Sequence, residues 1–301
     1  MLETPLVFIV FNRPETTRQV WARIRSARPK RLFVIADGPR PDRPADAGLC
    51  ATVREIVAQA DWPCDVTREY ASSNLGTAVR VSSGLDRVFA EVEEAIILED
   101  DCLPDPTFFP FCTELLARYR GEARVAQIAG CSFQGEDHGG KTSYYFSRYP
   151  HGWGWATWRR AWRNYDHSMR AWREERGGGW LERTITDPVE RRIWEGSFDA
   201  TLAGEVAAWD YRWVLAVWRL GQLSIVPYRN LISNLGFGAD ATNTRRESRW
   251  AALPLSPMPF PLVHPAAIAA DEEADERTGR LVFQPPSWPA RAARRLQRLF
   301  S

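Results

Sequence analysis

The chain has 301 residues, of which 45% are hydrophobic, and its 39 basic and 38 acidic side chains leave a formal net charge of +1. This length suffices for one large or two small domains with a substantial core. The balanced, intermixed charges exclude the basic footprint of a typical nucleic-acid-binding protein. The five cysteines show no CxxC spacing, which argues against a disulfide framework or a zinc site and favours a reducing compartment.

The N-terminus enters an apolar segment without the basic region, long apolar run and cleavage site of a signal peptide. No apolar run approaches the roughly 20 residues that a membrane-spanning helix needs. We therefore expect a cytoplasmic protein.

Strand-like and helix-like segments alternate through the first hundred residues. Continuous apolar runs predict buried strands, and apolar residues at helical spacing predict the helices between them. A segment rich in proline and aspartate, 40–48, predicts a loop. The alternation predicts an α/β fold with a doubly wound, mostly parallel sheet flanked by helices. The predicted strands are 6–11, 32–36, 64–70 and 95–98, and the predicted helices are 15–27, 50–60 and 77–92.

Three consecutive carboxylates, Glu99, Asp100 and Asp101, end the fourth predicted strand. Adjacent strand residues point to opposite faces, so Glu99 and Asp101 share one face. Two carboxylates at the carboxyl end of a parallel strand suit Mg²⁺ or Mn²⁺ shared with phosphate oxygens. The alternative is a solvated turn, or the start of a helix near Pro104 and Asp105.

Polar residues follow each of the four predicted strands. Right-handed crossovers bring the carboxyl ends of parallel strands to one edge of the sheet. We therefore predict a polar, phosphate-bearing ligand along this edge. The polar strand exits are Asn12-Arg13, Asp37-Gly38, Asn74-Leu75-Gly76 and Glu99-Asp100-Asp101.

The second half of the chain is rich in tryptophan, with ten of the fourteen tryptophans between 153 and 218. The segment 151–162 predicts a glycine-rich loop and then a helix with Trp155, Trp158 and Trp162 on one face. Most of these rings are expected to fill the core. Trp153, which is flanked by glycines, is the candidate for stacking on a sugar.

Asp210 lies in an aromatic stretch. An aspartate there is ordinarily a helix cap or half of an ion pair with Arg212. If it instead faces a cavity walled by Trp209 and Trp213, desolvation would raise its pKa and make it a better general base. The glycine-, hydroxyl- and amide-rich segment 230–244 predicts a loop that folds over a ligand.

The remaining segment, 254–301, is proline-rich and ends in a short basic amphipathic helix. There Leu296, Leu299 and Phe300 lie opposite several arginines. The default interpretation is a docked or frayed helix. The alternative is peripheral attachment to the anionic inner face of the membrane.

Six motifs in chain order resemble those of GT-A-fold nucleotide-sugar glycosyltransferases. The closer resemblance is to bacterial family-two-like glycosyltransferases of surface-polysaccharide clusters, and the motif order is also similar to that of the eukaryotic N-acetylglucosaminyltransferase I family. The similarity covers about residues 4–245. The motifs are Phe11-Asn12-Arg13, Asp37-Gly38, Asn74-Leu75-Gly76, Ile97-Leu98-Glu99-Asp100-Asp101, Gly152-Trp153-Gly154-Trp155 and Trp209-Asp210.

The resemblance implies a metal-dependent, inverting transfer of a hexosyl or N-acetylhexosaminyl group. The donor would be a nucleotide diphosphate sugar, with UDP favoured, and the acceptor a hydroxyl of a glycan or glycoconjugate. The implied divisions are a Rossmann-like half that binds the nucleotide-sugar (1–103), an acceptor-binding and catalytic half of the same domain (104–250), and the tail (251–301).

The resemblance also implies roles for individual residues. Asp101 would be the ligand of Mn²⁺ or Mg²⁺, and Asp210 would be the catalytic base. The donor would be held by Asn12, Arg13, Asp37, Asn74, Arg80, Glu99 and Asp100. The donor and acceptor loops would supply Trp153, Gly154, Trp155, Trp209, Asn234, Phe237 and Asn243.

Two alternatives remain. Sugar-1-phosphate nucleotidyltransferases share such a sheet, but they carry a glycine-rich loop with arginine where this chain has Phe11-Asn12-Arg13-Pro14. A catalytically silent nucleotide- or glycan-binding protein of the same fold is the other alternative. Asn243 favours it, because it stands where the bacterial relatives often have a histidine, and it would be a weaker, neutral substitute if that histidine assists the metal.

Overall fold

The computed structural model describes residues 1–135, 141–237 and 250–283. Within these ranges the strands are β1 (Leu6–Val10), β2 (Arg31–Ala36), β3 (Asp65–Tyr70), β4 (Glu94–Glu99), β5 (Cys102–Pro104), β6 (Val125–Ala129), β7 (Tyr144–Ser147), β8 (Trp155–Trp158), β9 (Leu223–Pro227) and β10 (Ile232–Asn234). The helices are α1 (Pro14–Ala27), α2 (Ala45–Ala58), α3 (Thr77–Glu91), α4 (Phe108–Arg118), α5 (Arg159–Trp162), α6 (Arg170–Glu175), α7 (Trp180–Thr184), α8 (Pro188–Leu202), α9 (Asp210–Arg219) and α10 (Glu272–Thr278), and a π-helical turn (Gly279–Phe283) follows α10.

Eight strands form one continuous sheet in the order β3-β2-β1-β4-β8-β6-β9-β7. β1 to β4 are parallel, and β6 is parallel to β9. β8 runs antiparallel between β4 and β6, and β7 runs antiparallel at the edge. The predicted α/β fold with a mostly parallel central sheet is therefore confirmed.

Helices cover both faces of this sheet because the strand side chains alternate in direction. In β1, Leu6, Phe8 and Val10 pack into one core with α1, α2 and α4. Val7 and Ile9 pack into a second core with α3 and the tryptophan-rich helices. All five side chains are buried, as a continuous apolar run requires.

The prediction of one helical face carrying Trp155, Trp158 and Trp162 is wrong. Trp155–Trp158 forms the central strand β8, and only Trp162 lies on a helix. Trp155 and Trp158 consequently point into opposite cores. Pairing of β8 with both β4 and β6 outweighs the helical spacing of the rings, because this long-range pairing is invisible in local sequence.

The loop predicted over 40–48 is shorter than expected, because α2 begins at Ala45. Asp46 is buried in the first turn of α2. It forms an ion pair with Arg40 (Nε to Oδ2, 2.6 Å) and accepts a hydrogen bond from Asn12 Nδ2 (2.8 Å). These partners lie outside the helix and hold its first turn in place.

The described part of the tail packs against the edge of the sheet. The Asp271 N–H donates to the Phe146 carbonyl of β7 (2.8 Å). In α10, the fully buried Asp275 accepts from both the backbone N–H and the Nε of Arg148, each at 3.0 Å. These contacts attach the segment 250–283 to β7.

The predicted amphipathic C-terminal helix lies outside the described residues, so its membrane contact stays a prediction. Within the described ranges, no helix combines the length and apolarity needed to cross a membrane. All five cysteines are free thiols.

We expect Asp275→Ala to lower the free energy of unfolding by about 3 kcal/mol, because it leaves Arg148 without its buried partner. Urea unfolding measures this loss. Glu272→Ala is the matched control, since Glu272 pairs with the same arginine but its side chain is 72% exposed. It should cost less than about 1 kcal/mol. Equal losses for the two variants would show that Asp275 does not anchor the segment.

Candidate active site

Two neighbouring cavities open at the carboxyl ends of β1, β2 and β4. The first, the acidic cavity, has a volume of about 210 Å³ and contains Glu99, Asp101 and Asp210. The second, the arginine cavity, has a volume of about 200 Å³ and contains Arg13, Arg40 and Arg80. Three residues line both cavities, namely Arg13, Thr77 and Glu99. The two cavities therefore form one cleft at the edge of the sheet where open α/β folds bind ligands.

Arg13 joins the end of β1 to the acidic end of β4. Its Nη1 donates to Asp101 Oδ2 at 2.8 Å, and its Nη2 forms an ion pair with Asp100. Asp100 is buried and also accepts from the Phe11 N–H at 3.0 Å. Burial raises the pKa of Asp100 above its ordinary value, while the guanidinium opposes that shift. Asp100 thus fixes the backbone after β1 and points away from the acidic cavity.

Glu99 faces both cavities and is the least compensated of the three carboxylates. Burial raises its pKa to about 8, and the nearby charge of Asp101 adds to the shift. No described residue donates a hydrogen bond to its carboxylate. A half-buried carboxylate in this state favours either a proton or a cation beside it.

Asp210 enters the acidic cavity from the opposite half of the chain. It is the first residue of α9 and accepts from the Tyr211 N–H at 3.0 Å. Its carboxylate is open to the cavity, but the surrounding protein raises its pKa above the ordinary value through burial. Its negative charge is close enough to contribute to the raised pKa of Glu99.

Three aromatic residues line the acidic cavity, namely Trp153, Trp209 and Phe237. Trp209 is buried and stacks on Trp155 with ring centroids 5.2 Å apart. Trp153 is half-buried and makes edge contacts with Phe133 (5.3 Å) and Phe237 (5.6 Å). Trp153 therefore offers ring surface to the cleft, whereas Trp155 lies beneath it in the core.

The segment after β10 closes on the ion pair of Arg13 and Asp101. β10 pairs with β5, which directly follows the acidic triplet, and the Leu235 N–H donates to the Asp101 carbonyl (2.8 Å). Asn234 Oδ1 accepts from the Gly236 N–H at 2.8 Å and sets the turn. A Cβ atom at Gly236 would lie 2.0 Å from Asp101 Oδ2 and 2.8 Å from Arg13 Nη1. Only glycine permits this approach.

Asp37 is occupied by its own loop. Its carboxylate accepts from the N–H groups of Gly38 (2.8 Å), Leu75 (2.9 Å) and Gly76 (3.1 Å) and from Asn74 Nδ2 (2.9 Å). Four donors fill the lone-pair positions of a carboxylate. Asp37 and Asn74 thus shape the wall of the arginine cavity and orient the start of α3.

Arg80 and Arg40 supply positive charge to the arginine cavity. Arg80 is buried, pairs with Glu69 at 2.7 Å, and its Nε has no hydrogen-bond partner in the part of the chain that the structure describes. Arg40 lies 5.3 Å from the ring of Phe11 and is held by Asp46. Both guanidiniums are fixed in place by the protein.

The structure brings together most of the residues that the sequence indicates. Three do not line either cavity. Asn12 supports Asp46, Gly154 (φ 55°) packs tightly against Ile232, and Trp155 is a core residue. Asn243 lies outside the described residues. The predicted residues that line the cleft are Arg13, Asp37, Asn74, Arg80, Glu99, Asp100, Asp101, Trp153, Trp209, Asp210, Asn234 and Phe237.

Sequence reasoning missed Thr77, Arg40, Asp46 and Gly236. The signal for Thr77 was available, since it begins the helix that follows the polar exit of β3. Arg40 and Asp46 lie in a segment whose composition indicated only a loop. The place of Gly236 depends on β5 and β10 pairing across more than a hundred residues.

The donor set fits a hard divalent cation. No group of three or more His, Cys, Asp or Glu side chains in the described ranges is arranged to hold a metal. Mg²⁺ and Mn²⁺ bound with phosphates need only one or two carboxylates, however. Among the described residues, none donates a hydrogen bond to Glu99, and the second oxygen of Asp101 accepts only from the Cys102 thiol (3.4 Å). These two carboxylates meet that requirement.

No protein-family description and no curated protein matches this sequence. Among solved structures, S. aureus TarS (residues 1–349) is similar with a TM-score of 0.43 at 8% identity, covering 76% of this chain and 60% of that one. The alignment thus spans under two thirds of the TarS fragment. A 4-diphosphocytidyl-2C-methyl-D-erythritol synthase from Anaerococcus prevotii is similar with a TM-score of 0.38 at 9% identity, covering 74% and 86%. A cytidylyltransferase from Leptospira borgpetersenii is similar with a TM-score of 0.35 at 12% identity, covering 61% of this chain and 71% of that one. These similarities are too remote to assign an activity.

We expect Gly236→Ala to lower the free energy of unfolding by about 1–3 kcal/mol, because the new methyl group collides with the Arg13–Asp101 ion pair. Chemical denaturation measures the change. Gly121→Ala is the control, since a Cβ there meets nothing within 4 Å. If Gly236→Ala were as stable as the control, the close packing over the ion pair would be refuted.

We expect the buried His151, which precedes Gly152 of the acidic cavity, to make the stability of the fold sensitive to acid. It is buried between Phe133 and Tyr149, and its Nε2 has no hydrogen-bond partner within the described ranges. Burial lowers its pKa to about 4. Between pH 6.5 and 4 the unfolded chain binds a proton that the folded chain does not, so stability is complete above pH 6.5 and falls as the pH drops. When the pH is lowered from about 7.5 to about 5, the free energy of unfolding of the wild type should fall by about 2 kcal/mol more than that of His151→Phe. Identical pH profiles of unfolding for the two proteins would contradict this.

Proposed function

We propose that this protein is a metal-dependent, inverting glycosyltransferase. It would move a sugar from a nucleotide diphosphate donor, with UDP favoured, to a hydroxyl of a glycan or glycoconjugate in surface-polysaccharide synthesis. The observation that supports this most is the acidic cavity, where Glu99 and Asp101, at the end of β4, share a space with Asp210, at the start of α9.

The arginine cavity suits the diphosphate and nucleotide. Arg13, Arg40 and Arg80 line it, and the N-terminus of α3 at Thr77 adds the partial positive charge of its free N–H groups. Guanidiniums bind phosphate in a bidentate manner. Because Asp37 and Asn74 are engaged with each other, we propose that they act on the nucleotide mainly by shaping this wall.

Glu99 and Asp101 would hold Mn²⁺ or Mg²⁺ beside the diphosphate. The bound cation would neutralise the charge that develops on the departing diphosphate. Arg13 provides a countercharge for Asp101. We propose that Arg13 moves its contact toward a phosphate oxygen when the donor binds.

Asp210 would take the proton from the acceptor hydroxyl. A base with a raised pKa accepts a proton more readily than an ordinary aspartate, and burial produces that rise here. In the transfer of the sugar, the bond from its anomeric carbon to the diphosphate breaks through an oxocarbenium-like state. A diphosphate whose charge is neutralised needs no acid to protonate it, so one carboxylate would suffice, as the base on the opposite face of the sugar. Trp153 would offer its ring as a surface for the sugar.

Calorimetry with UDP in the presence and absence of Mn²⁺, followed by a UDP-release assay, tests this proposal. We expect Mn²⁺ to strengthen UDP binding and Asp101→Asn to abolish that strengthening. Asp61→Asn, which removes an exposed carboxylate on another part of the surface, is the control. Metal-dependent binding without turnover on any acceptor would favour the silent binding protein.

We expect Asp210→Asn to lower kcat by about 10²- to 10⁴-fold, the usual contribution of a general base. UDP affinity should change little, because Asp210 is not part of the arginine cavity. Steady-state kinetics and UDP titration measure the two effects separately. Transfer near the wild-type rate would remove Asp210 from the role of base.

A further inference from the structure

A third cavity, with a volume of about 760 Å³, opens at the same edge of the sheet. We call it the distal cavity. Residues 132–135, which follow β6, line one side of it, and residues 228–230, which follow β9, line another. Residues 141–143, which precede the antiparallel β7, complete this part of the wall. The distal cavity therefore lies at the carboxyl ends of β6 and β9, as the catalytic cleft lies at those of β1, β2 and β4.

The topology sets the separation between the two sites. β6 is two strands from β4 in the sheet, and β9 is three strands away. With strands about 4.8 Å apart, this gives a separation of about 10–15 Å. Phe133 lines the distal cavity and packs at 5.3 Å against Trp153, which lines the acidic cavity. An extended ligand about 10–15 Å long therefore spans the acidic and distal cavities.

Part of the wall of the distal cavity is aromatic, and its rings are packed against other side chains. Phe133 and Trp250 make an edge contact at 5.0 Å. The ring of Tyr228 packs on Tyr145 at 4.9 Å, and its hydroxyl donates to Asp271. Such fixed rings provide flat surfaces with little loss of side-chain entropy on binding.

Three polar side chains of the distal cavity can donate hydrogen bonds to an anion. Lys141 and Arg229 line it, are exposed, and form no ion pair with any described residue. Ser132 is only 5% exposed, and its hydroxyl has no hydrogen-bond partner among the described residues. Among the described residues that line this cavity, none is acidic. A buried hydroxyl without a partner is costly unless a ligand satisfies it.

We propose that the distal cavity binds an anionic group, a phosphate or a carboxylate, carried by the acceptor saccharide. This inference rests on the proposed function and gives the substrate class of its acceptor. The sugar rings lie along Trp153 and Trp250, which both pack on the buried Phe133, and the reacting hydroxyl reaches Asp210. Lys141, Arg229 and Ser132 hold the anionic group two to three strand spacings away.

The test is direct binding of a panel of oligosaccharides of two to four units, each in neutral, uronate-bearing and phosphate-bearing form, with no donor present. The wild type should bind the anionic members about tenfold more tightly than the neutral ones. Lys141→Gln combined with Arg229→Gln should remove this preference. The control variant combines Arg173→Gln with Arg192→Gln, which removes the same charge from exposed positions on α6 and α8. This control should keep the preference for anionic oligosaccharides.

A third variant tests the hydroxyl. Ser132→Ala should weaken binding of the anionic members several-fold, because it removes a donor, while the neutral members bind as before. The uronate and phosphate members show which anion the cavity prefers. If the neutral members bind equally well, if no member binds, or if phosphatidylglycerol vesicles bind in preference to all of them, the proposal is overturned.

UDP titration with Mn²⁺, carried out in parallel, distinguishes the two proposals. If UDP binds and the anionic oligosaccharides do not, the proposed function stands and the acceptor inference fails. If the oligosaccharides bind and UDP does not, the distal cavity stands as an anionic-saccharide site and the transferase proposal fails. The double variant at Lys141 and Arg229 should bind UDP as the wild type does.

Discussion

The ion pairs of Arg13 with Asp100 and Asp101, directly after β4, organise the cleft. Glu99, Asp100 and Asp101 are consecutive at the end of this strand. Their negative charges repel one another in a poorly solvated space, and the positive charge of Arg13 opposes that repulsion. The guanidinium meets Asp100 and Asp101 from the end of β1 and so joins the exits of two neighbouring strands. The turn at Gly236 then packs onto this ion pair. The shape of the acidic cavity depends on all three contacts.

This arrangement leaves charge unbalanced where chemistry would need it. Glu99 carries a raised pKa and no hydrogen bond from the described residues, and Asp210 has a raised pKa in the same cavity. By comparison, Asp37 has four donors and Asp46 has an arginine and an amide. Asp37 thus shapes a wall of the cleft and Asp46 holds the start of α2, whereas Glu99 and Asp210 face the acidic cavity. Such contrast between neighbouring carboxylates is typical of functional sites.

The distal cavity opens at the same edge of the sheet as the acidic and arginine cavities. β6 and β9 run parallel to the first four strands, so their polar exits open on the same edge. Antiparallel β8 lies between the two sets, and Trp153 comes two residues before it begins at Trp155. The tryptophan therefore lies between the acidic and distal cavities. A single edge of the sheet therefore carries all three cavities.

Local sequence determined the first half of this protein. Apolar runs such as 6–10 and 95–98 are typical of buried strands, and parallel strands bring their exits to one edge, so the sequence alone predicts that Arg13, Asp37 and Glu99 lie together. Tertiary contacts decided the rest. Trp155 is a strand residue because β4 and β6 pair with it, Asp46 is buried because Arg40 and Asn12 reach it, and Gly236 meets Asp101 because β10 pairs with β5. These outcomes depend on partners distant in the chain, and no local pattern of residues encodes them.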